Sequence, residues 1–261
     1  VRRSSSPCLL PTVRWMSGVT KIFDRELKWK QKDHLAKLES YGEYQYLHRE
    51  VGNRLLDRLN DIKSAKFDKL VDLGSNFTEE HIDILTKYTD KKILQVSPNL
   101  EIIKKNNVSM EKVQPVVGDE EFVPLQHQVV DGIVSNLCMH WVNDLPGTFI
   151  QSFNALKPNG MFMVSMFGGE TLSELRDSFT VAEQERESGI SPHVSPFARV
   201  TDVGNLLSGA GFRLPTIDTE KIVIRFPSAW MLMQELGMMG EGNAVFQRRE
   251  RTPLSTLLAA A

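Results

Sequence analysis

Residues 129 to 172 read VVDGIVSNLCMHWVNDLPGTFIQSFNALKPNGMFMVSMFGGETL, and this stretch leaves few folds open. An apolar run from Val129 to Val134 leads into a polar-capped turn. A helical pattern follows from Pro146 to Leu156, then the turn Lys157-Pro158-Asn159-Gly160, then a second apolar run from Met161 to Phe167. Two short apolar runs around one helix read as a β-α-β unit with parallel strands buried on both faces. In such sheets ligands gather at the carboxyl ends of the strands. Here those ends offer Ser135, Asn136, His140 and Trp141 after the first strand, and Gly168, Gly169 and Glu170 after the second.

The rest of the chain repeats the theme. Strands are expected at Lys69 to Leu73, Lys92 to Val96, Val113 to Val117 and, by alternation, Lys221 to Phe226. Thr78 suits the cap of a helix reaching about Tyr88, with Glu79 and Glu80 in its first turn. Ser97-Pro98 opens another helix, and Thr171 to Glu187 reads as a polar one. Asp202 is expected to cap a helix from Val203 to Ala210, closed by Gly209 and Gly211. Ahead of the strands, Tyr44, Leu47, Val51, Leu55, Leu59 and Ile62 recur at spacings of three and four. They predict an amphipathic helix ending near Lys63-Ser64. The charged segment Ile22 to Asp33 reads as a solvated helix face, with a partner surface as the alternative. Five or six β-α repeats imply an α/β doubly wound sheet with helices on both faces.

Composition narrows function by exclusion. A formal net charge of -2 gives no global field for nucleic acid. Two cysteines, Cys8 and Cys138, lie far apart, so a reducing compartment is expected rather than a disulfide framework. No apolar run approaches the roughly 18 residues of a membrane span. The opening residues carry Arg2, Arg3 and Arg14, four serines and no acid before Asp24, the composition of a mitochondrial transit segment. The expected division is therefore residues 1–20 as transit segment, 21–65 as helical extension, 66–226 as the α/β domain, and 227–261 as a helical tail. That tail is expected to be shortened, because barely two helical turns follow Thr252-Pro253.

The order VDLG, VVGDEEFVP, VVDGIVSNLCMHWVNDLP and LKPNGMFMVSMFG resembles the class I S-adenosylmethionine-dependent methyltransferases. IFDRELKWKQKD, HWVNDLP, FGGETLSELR, SPHVSPF and ELGMMGEGNA are similar to a narrower family over roughly residues 20 to 261. That family is the mitochondrial complex I assembly factor 5 proteins, which are methyltransferase-like arginine hydroxylases. The resemblance implies a Rossmann-like, class I methyltransferase-like doubly wound sheet, with its last strand expected to be missing because no strand pattern follows Phe226. It implies a place in the mitochondrial matrix, with peripheral inner-membrane association as an option. It implies a complex I assembly intermediate as partner, with an arginine of an iron–sulfur subunit as substrate.

The resemblance also places a cofactor pocket on Asp72, Gly74, Ser97, Asp119 and Asn136. Two of its usual devices are altered. The glycine-rich turn after the first strand reads Gly74-Ser75-Asn76-Phe77-Thr78, keeping one glycine, and Ser97 stands where an acid takes the ribose hydroxyls. Asn76 is expected to tolerate a left-handed backbone, and Thr78 to introduce strain. S-adenosylmethionine is therefore expected to bind weakly or not at all. Catalytic candidates are His140 (with Trp141), Glu170, Glu174 and His193. Glu174 and Asp177 share a helix face that suits a guanidinium, or else is merely solvated. No metal site is expected: His81-Ile82-Asp83 is the one H-x-D, and residues two apart on a helix do not face each other. Two other readings stay open, a small-molecule or carboxyl methyltransferase and a non-catalytic assembly chaperone.

Overall fold

A five-stranded, wholly parallel sheet forms the centre of the computed structural model, which describes residues 20–62, 66–106, 109–249 and 251–261. The strands are β1 (Leu70–Leu73), β2 (Ile93–Ser97), β3 (Val113–Val117), β4 (Val130–Asn136) and β5 (Leu156–Ser165), in the order β3-β2-β1-β4-β5. Val71 lies level with Leu94 on one side and Ile133 on the other. The chain leaves β1 first toward β2 and β3, then returns to its other flank as β4. The strand order therefore reverses beside β1, which is where an open α/β sheet opens a crevice at its carboxyl edge. Pro115 is tolerated because β3 is the edge strand.

Alternation along the strands builds two cores. Val71, Leu73 and Ile133 face one side, where Phe149 of α5 (Leu145–Ala155) and Leu207 of α7 (Val200–Ala210) cover them. Leu70, Ile93 and Val134 face the other, under Leu56 of α2 (Tyr46–Asp57) and Ile82 of α3 (Glu79–Thr86). The remaining helices are α1 (Arg25–Ala36), α4 (Leu100–Lys105), α6 (Ser173–Glu187), α8 (Ala229–Met239) and α9 (Leu254–Ala260). Among the described residues no helix is long and apolar enough to cross a membrane. The expected transit segment and the Lys63-Ser64 helix end lie outside the described residues.

Several expectations need correcting. Lys221 to Phe226 joins no sheet, and Val223 is 69% exposed. Among the described residues no strand lies beside it, so alternation alone forms no ladder. Asp202 does not cap α7. The N-cap is Arg199, and Asp202 sits in the first turn, where it accepts from the Arg199 guanidinium.

The stripe of the second helical segment is displaced by one residue. The buried side is Tyr41, Gln45, His48, Gly52, Leu56 and Leu59, and a 3-10 turn (Glu39–Gln45) precedes α2. His48 turns inward to pair with Glu241, and Gln45 is buried on the same face. His81 is not solvated either: it is fully buried at the third position of α3, where its Nδ1 accepts from the Thr78 backbone N–H at 3.1 Å. Asp83 is the member of that pair exposed to solvent, bonded to Lys112.

Candidate functional site

The turn after β1 is the floor of the crevice. Gly74 adopts φ +105° and Ser75 φ 53°, so the left-handed residues are these two and not Asn76. A Cβ on Gly74 would lie 2.4 Å from Cys138 Sγ, so only glycine fits. Thr78 sits at φ -82°, ψ 174°, an ordinary N-cap conformation, and the strain expected there is absent. Asn76 instead clasps two strands: its amide donates to the carbonyls of Asn136 and Leu137. Asn136 is itself fully engaged. Its amide nitrogen donates to His48 O at 2.8 Å and its amide oxygen accepts from Ser165 Oγ.

Helix α1 covers this floor and overturns its reading as a solvated helix. Asp24 caps it by accepting from Leu27 N–H. Residues 22–24 are fastened to the chain's far end and to the segment after β4. Phe23 bridges Val245, Asp24 N–H donates to Ala244 O, and Asn143 Oδ1 accepts from Ile22 and Phe23. Arg25 and Lys28, one turn apart, then point into the fold. A cation in so dry a place requires a partner, and each has one.

Lys28 lies on Trp141, its Nζ 3.2 Å from the ring centroid, and donates to Gly242 O at 3.0 Å. Its counter-charge is Glu241, delivered inward because Gly240 ends α8 in a left-handed turn. The Glu241 carboxylate accepts from Trp141 Nε1 at 2.8 Å. It also pairs with His140 Nε2 and His48 Nε2, each at 3.2 Å. Burial pulls Lys28 down to about 7 against the pull of Glu241. Burial would raise Glu241, but Lys28 and the two histidines outweigh it and hold the carboxyl well below its ordinary value. His140 is lowered by burial, opposed by its bond to Glu241.

Arg25 meets three consecutive carboxyls beyond β3. Its Nη2 lies 2.5 Å from Asp119 and 2.6 Å from Glu120, its Nε 3.7 Å from Glu121, and its Nη1 donates to Trp141 O. One guanidinium cannot compensate all three. Burial alone would raise Glu120, but Arg25 and then Lys32 bring it down to about 2. Asp119 and Glu121 are shifted upward, chiefly by burial. Cys138 stands nearby, its thiol pushed up by burial and then by Glu120.

The expected site residues therefore separate. Asp72, Gly74, Ser97, Asp119, Asn136, His140 and Trp141 collect at the strand ends. Ser97 is buried, and its hydroxyl accepts from Asn99 N–H at 3.2 Å. Glu170, Glu174 and Asp177 are exposed on or just before α6, away from this cluster. His193 belongs to a different cluster, stacked on Phe179 with centroids 4.0 Å apart and bonded to Glu183. Arg25, Lys28, His48, Cys138 and Glu241 went unrecognised as site residues. The available signal was a basic pair at helical spacing in the IFDRELKWKQKD segment and a lone acid between glycines in ELGMMGEGNA. Among the described residues no group of three or more His, Cys, Asp and Glu is arranged to hold a metal ion.

Two outcomes follow from this electrostatic arrangement. Glu241→Gln leaves Lys28 buried without its counter-charge and is expected to destabilise the chain by about 3–5 kcal/mol. Adding Lys28→Met should recover most of that loss in urea unfolding. Asp72, fully buried, is pushed up to about 7 by burial against a hydrogen bond from Gln95. The fold thus favours its neutral form. That contribution is full below the ordinary value of 3.8 and is lost as pH rises through about 7. Asp72→Asn, which never ionises, should match the parent near pH 4 and exceed it by about 1–4 kcal/mol at pH 8. Thermal melts across this range show the effect as a widening gap, and a constant gap would contradict it.

A methyltransferase-domain family model matches residues 71–164. The mitochondrial arginine-hydroxylase NDUFAF5 of Mus musculus is 43% identical over the whole chain, which spans 75% of that protein. The Homo sapiens protein of the same name is 42% identical over 92% of the chain and 69% of its own length. More distantly, a malonyl-[acyl-carrier protein] O-methyltransferase of Xylella fastidiosa is 30% identical over 80% of the chain and 70% of its length. Among solved structures, the methyltransferase crystallised with the Trm112 activator of Haloferax volcanii superposes with a TM-score of 0.52. It is 17% identical and covers 79% of this chain and 85% of that one, a likeness of fold alone. On a class I methyltransferase-like sheet, this chain belongs to the arginine-hydroxylase NDUFAF5 family.

Proposed function

We propose that the chain is an enzyme of complex I assembly in the mitochondrial matrix, hydroxylating an arginine of an iron–sulfur subunit. The observation that carries this reading is the full-length 43% identity to a protein named arginine hydroxylase. The segments that build the buried cluster, Ile22 to Asp33, His140 to Pro146 and Glu235 to Ala244, fall within that match. The acid-free, arginine-bearing leader at residues 1–20 supports a mitochondrial address. The helical extension over 21–65, the sheet domain over 66–226 and the helical tail over 227–261 belong to the same reading. The test is the intact mass of the iron–sulfur subunit from cells with and without this protein. Hydroxylation adds the mass of one oxygen atom, and methylation that of one methylene. An unchanged mass would leave a holding role in assembly.

The cofactor is a separate matter. A methyltransferase fold implies S-adenosylmethionine in general, but the residues at these strand ends fit it poorly. Ser97 brings no charge to the ribose position and already accepts from Asn99. Asp119 and Glu120 are taken by Arg25. Arg25 and Lys28 of α1 already lie over these strand ends. The methyl donor therefore binds this chain weakly or not at all: of the expected pocket, Asp119 is held by Arg25 and Asn136 by His48 and Ser165.

Loss of the ribose carboxylate alone removes about 1.5–3 kcal/mol of charge-assisted hydrogen bonding, which is roughly a ten- to hundredfold loss of affinity. Calorimetry with S-adenosylmethionine on the unmodified chain should show no low-micromolar binding, and Ser97→Asp should restore part of the loss. Tight binding by the unmodified chain would overturn this and favour a methyltransferase.

A further inference from the structure

We propose that Asp119, Glu120 and Glu121 form the pocket for the guanidinium of the substrate arginine, and that Arg25 occupies it as a placeholder the substrate displaces. The proposal rests on the arginine-hydroxylase reading and adds to it a binding site and an internal competitor. Its first support is location. The three carboxyls follow β3 at the carboxyl edge of the sheet, beside the His140-Trp141 turn and the Gly74 floor, where an α/β sheet receives its ligands.

The second support is the ligand already present. A guanidinium sits among the carboxyls, two of them within 2.6 Å of one nitrogen, showing that the pocket accepts this shape and charge. The third is that the fit is incomplete on both sides. Glu120 Oε2 is buried without a hydrogen-bond partner, and so is Arg25 Nε. Glu120 Oε2 is thus an unmatched acceptor that a better-placed arginine would satisfy. Glu241, by contrast, has both oxygens bonded.

Exchange requires no unfolding of α1. Asp24 caps the helix, and residues 22–24 are anchored by Asn143, Ala244 and Val245, all independently of the Arg25 side chain. Rotation of that one side chain vacates the pocket. Lys28 stays on Trp141 and keeps α1 in register. Asp119, whose side chain is 16% exposed against 4% for Glu120, is then the point at which an arginine on an exposed loop of a partner enters.

The test uses the full chain and a capped arginine, N-acetyl-arginine methylamide, with the matching capped citrulline as the uncharged control. By calorimetry, Arg25→Met, which keeps an apolar stem, should bind capped arginine roughly tenfold or more tighter than the unmodified chain. Citrulline should gain nothing, and Glu120→Gln added to Arg25→Met should abolish the gain. Arg25→Gln carries the same measurement where Arg25→Met does not fold. A folded variant that shows no preference for arginine over citrulline would overturn the proposal. Failure of both variants to fold would overturn it too, because the guanidinium would then be a fastener and not a placeholder. The readout is binding, so it is independent of the subunit mass. Mass gain on the subunit without arginine binding here would sink this pocket and spare the function. Arginine binding without mass gain would do the reverse.

Discussion

The ammonium of Lys28 is the constraint around which the molecule closes. A lysine removed from water requires an opposite charge and a donor-accepting surface, and neither is available near it in sequence. Both come from the far end of the chain: Glu241 supplies the charge and Gly242 the carbonyl, while Trp141 supplies a π-face. To supply them, α8 must end at Gly240, α1 must lie across the strand ends, and the turn after β4 must place Trp141 beneath. The same carboxylate fixes His140 and His48, so one buried charge pair positions residues from four segments.

The sheet was legible because its signal is local. Strands buried on both faces show as short apolar runs: Val113–Val117 appears at its expected limits, β1, β2 and β4 lie within two residues of theirs, and β5 begins five residues early, running through the expected turn at 157–160. The floor of the site was legible too, since Asp72, Gly74, Ser97 and Asn136 mark strand ends. The roof was not. Arg25 and Lys28 belong to a segment whose composition suits water, and their burial is decided by groups more than 90 residues away. The same cause displaced the α2 stripe by one residue: the apolar set Tyr44, Leu47 and Val51 is half-buried, while Gln45 and His48 turn inward. Hydrophobic periodicity locates an apolar core and misplaces a helix that faces a polar one.

The turn after β1 carries several structural duties in a few residues. A glycine survives where Cys138 leaves no room for a Cβ. The other positions have taken structural duties. Asn76 clasps Asn136 and Leu137, Phe77 fills the core, and Thr78 caps α3 with His81. Reversion of that loop to glycines would remove a clasp, a core side chain and a cap at once. The carboxyls beyond β3 have likewise become partners of the protein's own arginine.

The contact between Phe23 and Val245 joins residues about as far apart as this chain allows. Synthesis or threading through a translocon delivers α1 well before Glu241 and Gly242. Until the segment near Glu241 arrives, Lys28 lacks its counter-charge and its carbonyl acceptor. Closing so long a loop is entropically costly and slow. The crevice therefore matures after the sheet beneath it, and a nascent chain passes through a stage with a formed floor and no roof.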